Sequence, residues 1–129
     1  PRLLTVRVRA DDEVWAVGGL QLPEVWRFDG TDWVAPDLAP CVGQALNGVV
    51  TAPNEPVHIA GTFGVAASVD DGTWTCEEAP VTPEHFHAAW AFDDEVLAVG
   101  GNLFATTGHY ATVARFPARG ALTFSGACE

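Results

Sequence analysis

Short apolar runs with a period of two dominate the chain. Val6, Val8 and Ala10 alternate with Arg7 and Arg9, and comparable runs of four to six positions recur along its length. Such alternation is the pattern of a half-buried strand. Val, Trp, Phe and Thr fill the runs, as strands favour. Asp-Asp-Glu, Asp-Gly and Gly-Gly groups interrupt them where hairpin turns belong. No segment carries a helical stripe capped at both ends. The pattern predicts an all-β chain.

The runs also repeat on a longer scale. Asp12-Glu13-Val14-Trp15-Ala16-Val17-Gly18-Gly19 returns as Asp94-Glu95-Val96-Leu97-Ala98-Val99-Gly100-Gly101, a shift of 82 residues. A weaker copy, Glu55-Pro56-Val57-His58-Ile59-Ala60-Gly61-Thr62, lies midway, at spacings of 43 and then 39 residues. The flanks follow suit: Trp26-Arg27-Phe28, Ala67-Ser68-Val69 and Ala114-Arg115-Phe116 lie downstream. Asp29-Gly30-Thr31-Asp32-Trp33 and Asp70-Asp71-Gly72-Thr73-Trp74 add a turn and an aromatic in the first two copies. The third copy departs, with Pro117-Ala118-Arg119-Gly120 and then Leu122 and Phe124. Four antiparallel strands in roughly 40–45 residues is the unit of a β-propeller blade.

The VWAVGG and VWRFDGTDW segments, residues 14–19 and 25–33, resemble bacterial propeller repeats of the kelch and BNR (Asp-box) type. The likeness covers nearly the whole chain as a partial propeller of three blades over 1–129, at about 1–42, 43–84 and 85–129. It implies three four-stranded antiparallel sheets. It implies no particular chemistry, because propellers host many activities. A ring closes with typically four to eight blades. Three blades therefore need completion by a second copy, giving a six-bladed homodimer, or by another chain or a cleaved remainder. An uncovered blade face would leave Trp15, Val17, Val57, Ile59 or Val99 partly wet. A β-sandwich of about a dozen strands is the competing architecture.

Propeller loops gather on one face. Here they would be 18–24, 61–64 and 100–109, with the inter-blade segments 36–44 and 77–87. Glu84-His85-Phe86-His87 is the most suggestive cluster, since His85 and His87 point to one side of a strand. With His109 and Glu84 they could hold a transition metal such as zinc or copper, which would activate water or polarise a carbonyl. Ordinary hydrogen-bonded histidines are the plainer reading. Repeat alignment sets His87 opposite Asn47 and Thr5, where all three would line a central channel. Phe63, Phe104 and Tyr110 are candidates for stacking on a ligand, with packing between blades as their other role. Ser68-Val69-Asp70-Asp71-Gly72-Thr73-Trp74 is similar to an Asp-box, which implies a hairpin-capping Asp70 and an inward Trp74. A sialidase would need an arginine cluster and a tyrosine nucleophile, whereas Tyr110 is the single Tyr and the Arg residues are scattered.

Composition narrows the classes. Six Arg and no Lys stand against 17 acidic residues, a formal net charge of -11. Such a chain repels phosphate backbones, so nucleic acid is excluded as a partner. No apolar run approaches the ~18 residues of a membrane helix. The expected protein is soluble, bacterial by its Ala-, Gly-, Pro- and Arg-rich usage, and either cytoplasmic or secreted. Pro1 stands where a primary product has Met, which points to trimming or a longer precursor. Cys41, Cys76 and Cys128 allow at most one internal bridge, and otherwise read as small buried hydrophobes. No nucleophile elbow, phosphate loop or dinucleotide fingerprint occurs, so no resident cofactor is expected. The function read from the sequence is a binding scaffold for protein or carbohydrate on the loop face. The alternatives are a metal-dependent enzyme using His85, His87 and His109, and a purely structural part of a larger ring.

Overall fold

A computed structural model describes residues 1–51, 54–77, 82–102 and 111–119. The chain is all-β, in three small antiparallel sheets rather than the two of a sandwich. The first sheet runs in sequence order through β1 (Leu3–Ala10), β2 (Glu13–Gly19), β3 (Pro23–Phe28) and β4 (Trp33–Val34). The middle sheet repeats that order with β5 (Leu46–Val50), β6 (Val57–Gly61), β7 (Ala66–Asp70) and β8 (Thr73–Cys76). The third contains β9 (Phe86–Phe92), β10 (Glu95–Gly101) and β11 (Ala111–Pro117). Leu122 and Phe124, where the third copy departs from the repeat, lie outside the described residues. No described helix is long and apolar enough to cross a membrane.

The sheets stack in chain order: β1 and β2 lie against β5, and β5 and β6 against β9. Between the first and middle sheets, Trp15, Val17 and Val25 meet Leu46, Val49, Val57 and Ile59. Between the middle and third, Val50, Ala60 and Ala66 meet Phe86, Val96, Ala98 and Phe116. The removal of this apolar surface from water is the main force holding the stack, at about 1.5–3 kcal/mol for each large side chain fully buried.

Each sheet uses one device to bring its first two strands together. The register slips once near the start of the first strand, leaving Leu4, Asn47 and His87 as the extra residue. The carbonyl just before each first strand then accepts from the end of the second: Gly19 N–H to Arg2 O (2.8 Å), Thr62 N–H to Ala45 O (2.9 Å), Gly101 N–H to His85 O (2.9 Å). A Cβ at Gly18, Gly61 or Gly100 would fall 2.0, 2.3 or 1.8 Å from those same carbonyl oxygens. Only glycine fits so close a backbone approach, which explains why a Gly recurs at this point of each copy.

Several expectations change. Trp15, Val17, Val57 and Ile59 are all buried, and of the five residues expected to be wet only Val99 is exposed. Val6, Val8, Trp33, Trp90 and Phe92 carry the uncovered apolar surface instead. Register sets Leu4, not Thr5, level with Asn47 and His87, because the bulge adds a residue. Cys41 and Cys76 form a disulfide, with Cα atoms 6.1 Å apart. It ties the segment leading into the middle sheet to that sheet's last strand. Cys128 lies outside the described residues. Asp29 does cap its hairpin, accepting from Thr31 N–H and Asp32 N–H at 3.0 and 2.9 Å. Those bonds hold its carboxyl below the usual range. Asp70 instead makes ion pairs with Arg9 of the first sheet and with Arg119, just past β11. Trp74 packs on the first core cluster and donates Nε1–H to Asp37 O, 2.9 Å.

Candidate functional site

The first strands of the three sheets are linked side by side at the end where each begins. Thr5 Oγ1 donates to Asn47 O and Asn47 Nδ2 donates to Phe86 O, both at 2.6 Å. Asn47 therefore ties the middle sheet to the first through its backbone carbonyl and to the third through its side chain. His87, its counterpart, turns into its own sheet and donates Nε2–H to Gly101 O at 2.8 Å.

Next to this row lies Phe63, in a single 3-10 turn over Thr62–Gly64. Its φ is +57°, a left-handed conformation that a bulky non-glycine residue rarely holds. The surroundings impose it. Thr62 is anchored to Ala45 O through its N–H (2.9 Å) and through Oγ1 (3.2 Å). Phe63 N–H donates to His85 Nδ1 at 3.2 Å. The Phe63 and His85 rings stand edge to face with centroids 4.7 Å apart, and His85 and His87 are 6.2 Å apart. Phe63 still leaves 54% of its surface open to solvent. Strain of this kind costs on the order of 1–3 kcal/mol and gathers at functional positions.

The structure thus brings Phe63, His85, His87 and Asn47 to one end of the stack. Glu84 joins the approach to β9, its N–H donating to Thr82 Oγ1 at 3.1 Å. Phe104, Tyr110 and His109 lie outside the described residues. Among the described residues, no three His, Cys, Asp or Glu side chains gather as a metal site. The hydrogen bonds bear on that chemistry directly. Neutral His85 spends its only lone pair on Phe63 N–H, so it would ligate a metal only by releasing the turn. In the neutral form with Nε2–H on Gly101 O, the His87 lone pair lies on Nδ1, away from that bond.

A second polar cluster lies where β1 meets β2 and the middle sheet's last hairpin. Arg9 bridges Glu13 (3.2 Å) and Asp70 (3.6 Å), and Arg27 Nε approaches Glu13 at 3.3 Å. Trp15 Nε1–H also donates to Glu13, 2.9 Å. Partial burial pushes the Glu13 carboxyl up, but Trp15, Arg9 and Arg27 together outweigh it and hold it below 4.5. These residues border a cleft of about 500 Å³, with Pro36, Asp37, Asp71 and Trp74 on its other walls. Sequence reasoning missed this cluster. Its one signal was that Glu13 and Arg27 recur as Glu95 and Arg115, which pair in the same way.

His58 is the buried titratable group of the middle sheet. It donates Nε2–H to Ala118 O at 2.9 Å. Burial lowers its pKa below 6.5, against the opposing pull of that carbonyl and of Glu55. Beside it, Arg119 pairs with Glu55 at 2.7 Å and donates to Asn54 O. No family model, no curated protein and no solved structure matches the chain.

Proposed function

We propose that the protein is a recognition scaffold built as consecutive blades of a β-propeller, binding its ligand at the end that carries Phe63. The side-by-side first strands, joined through Thr5 and Asn47, and the same glycine device in every sheet support the propeller reading. In that reading β1, β5 and β9 line the axis, and further sheets complete the ring.

The observation that carries the binding function is Phe63: exposed, conformationally strained and clamped by His85. An aromatic ring fixed in advance loses little entropy when a ligand stacks on it. A flat apolar face such as that of a pyranose suits such a ring, and His85, whose ring stands against it, provides a polar group for its hydroxyls. We therefore take carbohydrate as the ligand class. The metal-dependent alternative would need His85 to give up the bond that shapes this turn.

Screening the protein on a glycan array, with Phe63→Ala beside it, tests the reading. The expected result is binding to a restricted set of glycans that falls on the order of tenfold in the variant, as loss of one aromatic contact implies. No glycan bound, or equal binding by Phe63→Ala, would overturn it.

A further inference from the structure

In β1, Arg7 and Arg9 point toward the rest of the chain while Val6 and Val8 point away from it, 58% and 66% exposed. Arg7 sits over the Trp90 ring and Arg9 reaches Asp70. In β9 the small Ala89 and Ala91 pack against the middle sheet's core, whereas Phe92 is exposed and Trp90, 62% exposed, turns its ring toward Arg7. A sheet with one face in water normally shows the opposite alternation. Both end faces are built as interiors.

Resting on the propeller reading, we infer that the partner is a second copy of this chain, with the outer face of one copy's third sheet seated on the outer face of the other's first sheet. The two faces are of opposite kind. Within the chain, each sheet offers its successor the side bearing Trp15 and Val17 and receives its predecessor on the alternate side. In β10 the offering side carries Leu97 and Val99, and Val99 is 43% exposed. In the first sheet the receiving side carries Val6, Val8, Val14, Trp26 and Phe28, joined across the strands by register. Two head-to-tail contacts would close six sheets into one ring, a number within the closed range.

Charge supports the same partner. Arg115 and Glu95 on β11 and β10 pair as Arg27 and Glu13 do. The latter pair meets the next sheet at Asp70 through Arg9. Asp29 follows Phe28 as Asp70 follows Val69, and Phe28 lies opposite Val14 as Val69 lies opposite Val57. Docking would therefore bring Arg115 of one copy toward Asp29 of the other. Two chains of charge -11 repel at long range, so the dimer should tighten as salt is added.

Sedimentation of the whole chain tests this. The expected mass is twice the 13.6 kDa of one chain. Val6→Asp and Val99→Asp, both at exposed positions that leave the fold intact, should each give monomer. Mixing them should restore a heterodimer, which keeps one unaltered contact. Arg115→Glu should weaken the dimer on the order of tenfold, and adding Asp29→Arg should recover it. Dissociation by only one of the valine variants would mean self-facing contacts and overturn the inference. So would a monomeric parent, and oxidative labelling then separates two failures. Trp33 and Trp90 labelled in that monomer leaves the propeller reading in place with another chain as the cover. Both protected in the monomer would overturn the propeller reading as well.

Discussion

The middle sheet and its two neighbours are built from similar strands, yet they meet water differently. Every residue of β6 is buried, Val-His-Ile-Ala-Gly, because this strand has a sheet on either side. β1 and β9 expose one face and only half-bury the other, apart from the buried Phe86. The contrast is visible in the residues chosen: apolar character broken only by His58 where two faces are covered, alternation where one is. It also shows that alternation alone does not say which face is inside. In β1 the arginines are on the covered side, held by Trp90, Glu13 and Asp70.

The largest expected contrast is a pair of truncations. Ile59→Ala in the middle sheet should cost about 2–5 kcal/mol in denaturant unfolding, the price of a core cavity. Val6→Ala should cost under about 0.5 kcal/mol in the isolated chain. An equal loss at both positions would erase the distinction between the sheets. Next is the disulfide, whose sulfurs close a span of 35 residues around the middle sheet. Reduction, or Cys41→Ser with Cys76→Ser, should lower stability by about 2–4 kcal/mol and loosen the middle sheet before the others in hydrogen exchange.

Gly61→Ala should cost about 1–3 kcal/mol, since its Cβ would collide with Ala45 O and that backbone must shift. Gly18→Ala should cost about the same, because the same carbonyl approach recurs at Arg2. A markedly smaller loss at Gly18 would mean the outer sheets relax where the middle one cannot.

The smallest effect is on pH. His58 has a pKa below 6.5 when folded, so the unfolded chain binds the proton more readily. Stability is therefore full above 6.5 and falls as pH drops from there through the folded pKa. His58→Gln should flatten that part of the profile of Tm against pH. An unchanged slope would place the titration elsewhere. At lower pH, protonation of Glu13 and loss of its bonds to Trp15 and Arg9 should remove further stability below 4.5.

The strands and their turns were legible in the sequence, because pleat alternation and turn chemistry are local. The Gly-Gly and Gly-Thr positions repeated visibly, although their reason, a carbonyl pressed against the Cα, needed the fold. Asn47 and the His85–His87 pair could be singled out as polar residues at strand beginnings. The strain at Phe63 could not, since nothing in Gly-Thr-Phe-Gly says that His85, 22 residues on, will hold its N–H. The Cys41–Cys76 pairing was likewise one of several arithmetical options.

What the chain determined alone was the all-β class and a thrice-used strand pattern, since both follow from neighbours a few residues apart. What only the tertiary structure decided was sidedness: which alternate residues face another sheet, which carboxylates meet Arg9, and which apolar faces stay uncovered. Period-two patterning is symmetric between the two faces of a strand, and only packing against a particular neighbour breaks that symmetry.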